Sequence, residues 1–235
     1  MSDNASGGTN ELLRRKVSDL VAADGGGDSQ PKSGSDSGAP SGAASNLTAT
    51  SYASLVEIGR ELYERALVRR EQEHITDPRG NSIGWLLDTR TPMLDGETFR
   101  EVGAVLADRL TSRGIQQIAG FGFGSYALVC SVLSAPSAID FAGGFIREQR
   151  KAYGRRRLVE GPIDRSRPVV LLDDILNSGR SALTGAALLR SDGYEVEGVM
   201  TLFNFTWSGG RPRLEREGLW VDTLLDLNLR EQPSP

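Results

Sequence analysis

Cysteine, histidine and lysine are all scarce in the 235-residue chain: Cys130 and His74 stand alone, and the only lysines are Lys16, Lys32 and Lys151. A single cysteine excludes an internal disulfide, so the fold does not depend on an oxidising compartment. Cys130 lies in the apolar run Ala127 to Leu133 and is expected as a small core residue. One histidine excludes a histidine-rich metal site. His74 sits in a charged stretch and reads as a solvated surface residue. No segment approaches the roughly 18–20 apolar residues that span a bilayer. No basic segment leads into an apolar one at the N-terminus, so neither a signal peptide nor a membrane anchor is expected, and the cytoplasm is the expected location. The formal net charge of -4 argues against a surface built throughout to coat nucleic acid. What is present is 38% hydrophobic residues, enough for one sizeable core.

Two regions differ in composition. Residues 1–50 read as a largely flexible extension: 24–46 is rich in Gly, Ser, Asp and Pro and cannot bury enough surface to offset its ordering entropy. Within it, 11–23 carries a helical spacing of apolar residues through Leu12, Leu13, Val17, Leu20 and Val21. Residues 51–235 read as the folded domain. Helices are expected over 51–70, 97–112, 125–133 and 181–191, and strands over 83–88, 117–121, 138–146, 169–172, 195–203 and 220–225. Strands alternating with helices imply an α/β fold with a mostly parallel central sheet flanked by helices.

The segment Val169-Val170-Leu171-Leu172-Asp173-Asp174-Ile175-Leu176-Asn177-Ser178-Gly179-Arg180-Ser181 is an apolar strand, two acids, a polar turn and a helix start. In open α/β sheets ligands bind beyond the carboxyl ends of the strands. Free backbone N–H groups and the helix dipole favour a phosphate at the turn Asn177 to Ser181. Gly179 permits close backbone approach, and Ser178 and Ser181 carry hydroxyls. The two carboxylates would repel phosphate, so their natural partners are sugar hydroxyls or a hydrated metal ion. A strand followed by two acids also occurs in other magnesium-binding α/β folds; the adjoining phosphate cradle narrows the reading to a ribose 5-phosphate.

These residues resemble the PRPP-binding motif (PRPP, 5-phosphoribosyl-1-diphosphate) of type I phosphoribosyltransferases, with Asn177 where Thr is common and Arg180 larger than usual. A second stretch, Phe145 to Gly161, resembles the catalytic loop of orotate phosphoribosyltransferases through Lys151-Ala152-Tyr153-Gly154 and Arg157-Leu158-Val159-Glu160-Gly161. The resemblance spans Ser51 to Leu229. It implies the type I fold with a small hood region, Mg2+ carried mainly by PRPP, and a homodimer whose catalytic loop reaches the neighbouring subunit's site. By it, Arg147 and Lys151 cover the diphosphate, and Asp173 and Asp174 hold the ribose, directly or through hydrated metal. Asn177, Ser178, Gly179, Arg180 and Ser181 bind the 5-phosphate, and Gly124 lies in the Gly-rich turn that contacts the diphosphate. Cations closing over a leaving diphosphate stabilise its growing charge. Arg147, Arg150, Lys151, Arg155, Arg156 and Arg157 also admit a basic nucleic-acid patch or a plain solvated loop as alternatives.

The acceptor positions depart from the family. Pro78-Arg79-Gly80 stands where the family has Lys-Ser-Gly, and Asn204-Phe205 replaces an Asp-Arg pair. Arg79 and Phe205 are therefore the expected acceptor contacts, Phe205 as a stacking face. Two functions fit: a transferase with orotate or an altered acceptor, or an inactive PRPP- or nucleotide-binding regulator.

Overall fold

The structure is a computed structural model. It describes residues 49–77, 79–150, 154 and 157–228. The candidate helix at 11–23 and the linker at 24–46 lie outside the described residues. Internal contacts divide the chain between Val56 and Glu57, and the account below concerns the second unit.

Helix α1 (Ala49–Ala66) buries Leu62, Tyr63 and Ala66, at helical spacing. It ends four residues earlier than the sequence pattern predicts. Leu67–Arg69 instead forms β1, antiparallel to β2 (Trp85–Leu87). The pairing captures backbone groups that further helical turns would have used, and the Asp88 N–H donates to the Ala66 carbonyl at 2.7 Å. The strand expected at 83–88 therefore stands outside the main sheet, in a two-stranded piece of its own.

The chain then forms a short helix α2 (Arg90–Met93) and the long helix α3 (Gly96–Ser112). Asp95 caps α3, accepting from the Glu97 N–H at 3.0 Å. There follow β3 (Gln117–Phe121), α4 (Gly124–Ser134), β4 (Ala142–Ile146), β5 (Val159–Glu160) and β6 (Val169–Leu176). The last elements are α5 (Arg180–Ser191), β7 (Val196–Phe205), α6 (Gly210–Arg216) and β8 (Trp220–Leu227). The main sheet has the order β5-β4-β3-β6-β7-β8. Every neighbouring pair is parallel except β4 with the two-residue edge strand β5. This is the mostly parallel α/β sheet expected from the sequence.

Val169, Leu171, Ile146, Ala182, Ala186, Leu189 and Leu214 share one core cluster, which packs α5 and α6 against the sheet. Val102, Leu106, Leu110, Leu128, Val129 and Val132 are buried from α3 and α4. Cys130 corrects the sequence reading, because it is exposed. Helix α4 is apolar nearly all round, so hydrophobicity alone did not reveal its buried side. That side carries Leu128, Val129 and Val132, while Phe123, Tyr126, Cys130 and Leu133 follow the opposite one at helical spacing. His74 is exposed, as expected. No described helix is long and apolar enough to cross a membrane.

Because β3, β6 and β7 run parallel, their carboxyl ends open on one edge of the sheet. The turns at 122–123, 177–179 and 206–209 leave from that edge together.

Candidate active site

Strand β6 runs through both acids to Leu176, longer than its apolar run suggests, and Asp173 is held in register with Thr201 of β7. Both carboxylates are half-buried. Burial is the main cause that lifts the Asp173 carboxyl to about 8, and the adjacent Asp174 charge adds to it. Near neutral pH the Asp173 carboxyl is therefore largely protonated.

Asp174 is fixed from three sides. The Thr89 hydroxyl donates to its Oδ2 at 2.6 Å, and the Ile175 N–H donates to its Oδ1 at 2.9 Å. Gly124, the first residue of α4, sits against it: a Cβ there would lie 2.5 Å from Oδ2. The structure thus brings Gly124 of the β3–α4 turn to the acid pair. Thr89 is the middle residue of the segment Asp88-Thr89-Arg90 after β2. There the Arg90 guanidinium, 2.7 Å from Asp88, holds the Asp88 carboxyl below the usual carboxylate range.

The turn expected from the sequence to cradle a phosphate lies directly after β6. Gly179 adopts φ +73, a left-handed conformation open mainly to glycine, and helix α5 begins at Arg180. The first N–H groups of a helix have no intrahelical acceptor. Asn177, Arg180 and Ser181 are exposed around them and Ser178 is half-buried. The turn's carbonyls are held from behind: Arg213 Nη1 donates to the Ser178 carbonyl at 2.6 Å, and the Ser208 hydroxyl reaches the Asn177 carbonyl. With the carbonyls engaged on the α6 side, the N–H groups are left for an anion. Gly210 allows the close approach, since a Cβ on it would lie 2.1 Å from the Asn177 carbonyl oxygen.

Other expected residues are placed separately. Arg147 follows β4, two strands from β6, which is about 10 Å across the sheet. Its guanidinium Nε lies 3.1 Å from Glu160. Lys151 and Tyr153, with Arg155 and Arg156, lie outside the described residues, as does Pro78. Arg79 is exposed on the turn from Asp77 to Asn81. Phe205 ends β7 in an aromatic group that sequence reasoning missed. It stacks on Trp207 (4.8 Å between ring centroids, 10° between planes) and meets Trp85 of β2 edge-on at 5.9 Å. Thr89, Ser208 and Arg213 were also missed as site residues. Each reaches this region through contacts between residues 31 to 85 positions apart, which no local pattern signals.

Among the described residues no group of three or more His, Cys, Asp or Glu side chains could hold a metal. Two adjacent carboxylates fit a hydrated Mg2+ whose other oxygen ligands come from a bound diphosphate, and do not fit an all-protein metal cage.

No protein-family model matches the chain. The orotate phosphoribosyltransferase of Streptomyces coelicolor is 30% identical over 156 residues, 66% of this chain and 84% of that protein. The chain belongs to the orotate phosphoribosyltransferase family. The Corynebacterium glutamicum orotate phosphoribosyltransferase is 27% identical over 183 residues, 78% of this chain and 95% of that protein. Among solved structures, Mycobacterium tuberculosis orotate phosphoribosyltransferase superposes with a TM-score of 0.64 at 23% identity, over 73% of this chain and 95% of that one. The same enzyme in complex with PRPP gives 0.61 at 23% identity, over 73% and 94%. The fold is the type I phosphoribosyltransferase fold, and family membership makes the chain a pentosyltransferase.

Proposed function

We propose that the chain transfers the 5-phosphoribosyl group of PRPP to a ring nitrogen of a nucleobase-like acceptor and releases diphosphate. The observation that carries this reading is the half-buried acid pair set beside an open helix N-terminus at the carboxyl end of β6. The 5-phosphate binds the N–H groups and hydroxyls of Asn177 to Ser181. Asp173 and Asp174 hold the ribose hydroxyls, directly or through hydrated Mg2+, which supplies charge neutralisation on the diphosphate when bound. Arg147 and Lys151 cover the leaving diphosphate, and Gly124 lets the β3–α4 turn approach it. The C1–O bond breaks, the bond from acceptor nitrogen to C1 forms, and the nitrogen's proton passes to solvent. No covalent enzyme intermediate is required, so positioning and electrostatics carry the rate. Arg79 and Phe205 contact the acceptor. The family likeness supports a place in pyrimidine nucleotide metabolism, in the cytoplasm.

A homodimer belongs to the same proposal. Exposed apolar side chains run along α4 from Phe123 (71% exposed) through Tyr126 to Leu133. Phe123 adjoins Gly124, which abuts Asp174. A second copy covering this stripe would sit beside the acid pair, where its own catalytic loop is needed.

Two measurements test the proposal. A screen of PRPP-dependent diphosphate release across orotate, uracil, purines and other heterocycles is expected to give release with at least one acceptor. Binding of PRPP without release from any of them would make the chain a PRPP-responsive regulator instead. Lys151→Ala is expected to lower turnover by roughly 10- to 100-fold with an unchanged melting temperature. Unchanged turnover would move the diphosphate contact to another residue.

A further inference from the structure

Trp85, Phe205 and Trp207 come from segments about 120 residues apart, yet they form one group at the carboxyl edge of the sheet. All three are half-buried, so the group is a partly open surface and not part of the core. It is tied to the proposed PRPP site from both ends. The Ser208 hydroxyl lies within reach of the Asn177 carbonyl and, at 2.7 Å, of the Phe205 carbonyl. This couples the turn carrying Phe205 and Trp207 to the phosphate loop. At the other end, β2 leads from Trp85 to Thr89, whose hydroxyl holds Asp174. Four residues of chain span at most about 13 Å, so the Trp85 and Thr89 backbones lie within that distance of each other.

The chemistry of the group is one-sided. Aromatic faces carry the negative end of the ring quadrupole; they stack well on planar rings and disfavour anions. An anionic substituent placed against them needs a cation in exchange for its lost hydration. The flanking arginines are already engaged: Arg90 with Asp88 at 2.7 Å, Arg211 with Asp226 at 3.1 Å, and Arg213 with the Ser178 carbonyl at 2.6 Å. The guanidinium groups that lie over rings among the described residues are Arg113 on Trp220 and Arg165 on Tyr194, not on this group. Arg79, the other proposed acceptor contact, is exposed to solvent on its turn, where water screens its charge against a carboxylate.

We infer that Trp85, Phe205 and Trp207 form the acceptor subsite, and that they select an uncharged planar heterocycle over a carboxylate-bearing one. The inference rests on the transferase reading above and specifies its acceptor class. The parallel pair Phe205–Trp207 offers a stack that a planar base extends, and the perpendicular Trp85 limits rotation of that base in its plane.

The test uses the full chain with Mg2+ and PRPP. Calorimetric binding of PRPP is measured first; its absence would overturn the transferase reading itself. With PRPP binding established, diphosphate release is compared between neutral bases (uracil, adenine, hypoxanthine) and orotate. The expected result is a kcat/KM at least about tenfold higher for a neutral base than for orotate, since one stacking or charge contact is worth about that factor. The neutral base is also expected to quench the fluorescence of Trp85 and Trp207. Trp207→Ala is expected to raise KM for that base about tenfold while leaving PRPP affinity unchanged, which shows that the variant is folded. Phe205→Arg is expected to shift preference toward orotate. Orotate as the best acceptor of the unmodified chain, or release by no neutral base while PRPP binds, would overturn the inference and leave the PRPP site standing.

Discussion

Asp173→Asn is expected to give a chain that resists unfolding better at alkaline pH and no longer turns over PRPP. The sign follows from the protonation of the acid pair. In the folded state burial and the Asp174 charge hold the Asp173 carboxyl at about 8, well above the roughly 3.9 of an unfolded chain. Between those two values the folded state binds a proton that the unfolded state has lost. Stability therefore falls as pH rises from about 4 to about 8 and levels off above that. Asn has no proton to lose, so the variant escapes this fall. Melting temperatures are expected to match near pH 4 and to separate by about 5–10 °C at pH 9. That corresponds to about 2–3 kcal/mol after allowance for the carboxylate's partial exposure. A gap that does not widen with pH would show that the pair ionises freely. The same change is expected to lower turnover by about three orders of magnitude, alone or with Asp174→Asn, because the ribose hydroxyls lose a carboxyl partner in a partly dry site. Full retention of PRPP binding and turnover in the double variant would remove both acids from the site. A strain that weakens folding while serving the ligand is what a functional pair of like charges predicts.

Gly210→Ala is expected to damage the phosphate cradle from behind. A methyl group at this position would lie 2.1 Å from the Asn177 carbonyl oxygen and 3.0 Å from Leu176 Cδ1. The first contact is with backbone, so no side-chain rotation relieves it. The turn must shift, and its N–H groups with it. An ångström of displacement in a positioned binding group costs about 100-fold, and overpacking of this kind costs about 1–3 kcal/mol of stability. The expected outcome is a KM for PRPP raised by about two orders of magnitude. Gly209→Ala is the control. That residue has φ +72 and open space around its Cβ position, so only the left-handed backbone is penalised, by about 1–2 kcal/mol. A variant at 210 that binds PRPP normally, or one at 209 that is equally impaired, would show that the α6 turn does not position the cradle.

The acid pair and its turn were legible in the sequence because they are contiguous. One strand, two carboxylates, a glycine turn and a helix start follow one another, and local backbone geometry suffices to assemble them. The same holds for the cap of α3 by Asp95. The catalytic-loop likeness at Lys151 is also a linear pattern, but it says nothing about which atoms the loop meets. Periodicity failed where two local solutions compete. Leu67 to Arg69 continues a good helical pattern, yet pairs with Trp85 to Leu87 because that partner is available in the fold. Cys130 was misplaced for a related reason: in an apolar helix only the neighbours decide which side is inside.

By itself the sequence determined the alternation of strands and helices, and it placed two acids, a glycine turn and a helix start in one contiguous stretch. Hydrophobic period, turn residues and contiguous functional groups are all local properties. The tertiary structure alone decided that Thr89 and Gly124 confine Asp174, that Arg213 and Gly210 brace the phosphate turn, and that Trp85 joins Phe205 and Trp207. These contacts link residues between 31 and 85 positions apart, or more for the aromatic group. No local pattern encodes them, because they exist only once parallel strands have brought their carboxyl ends to one edge.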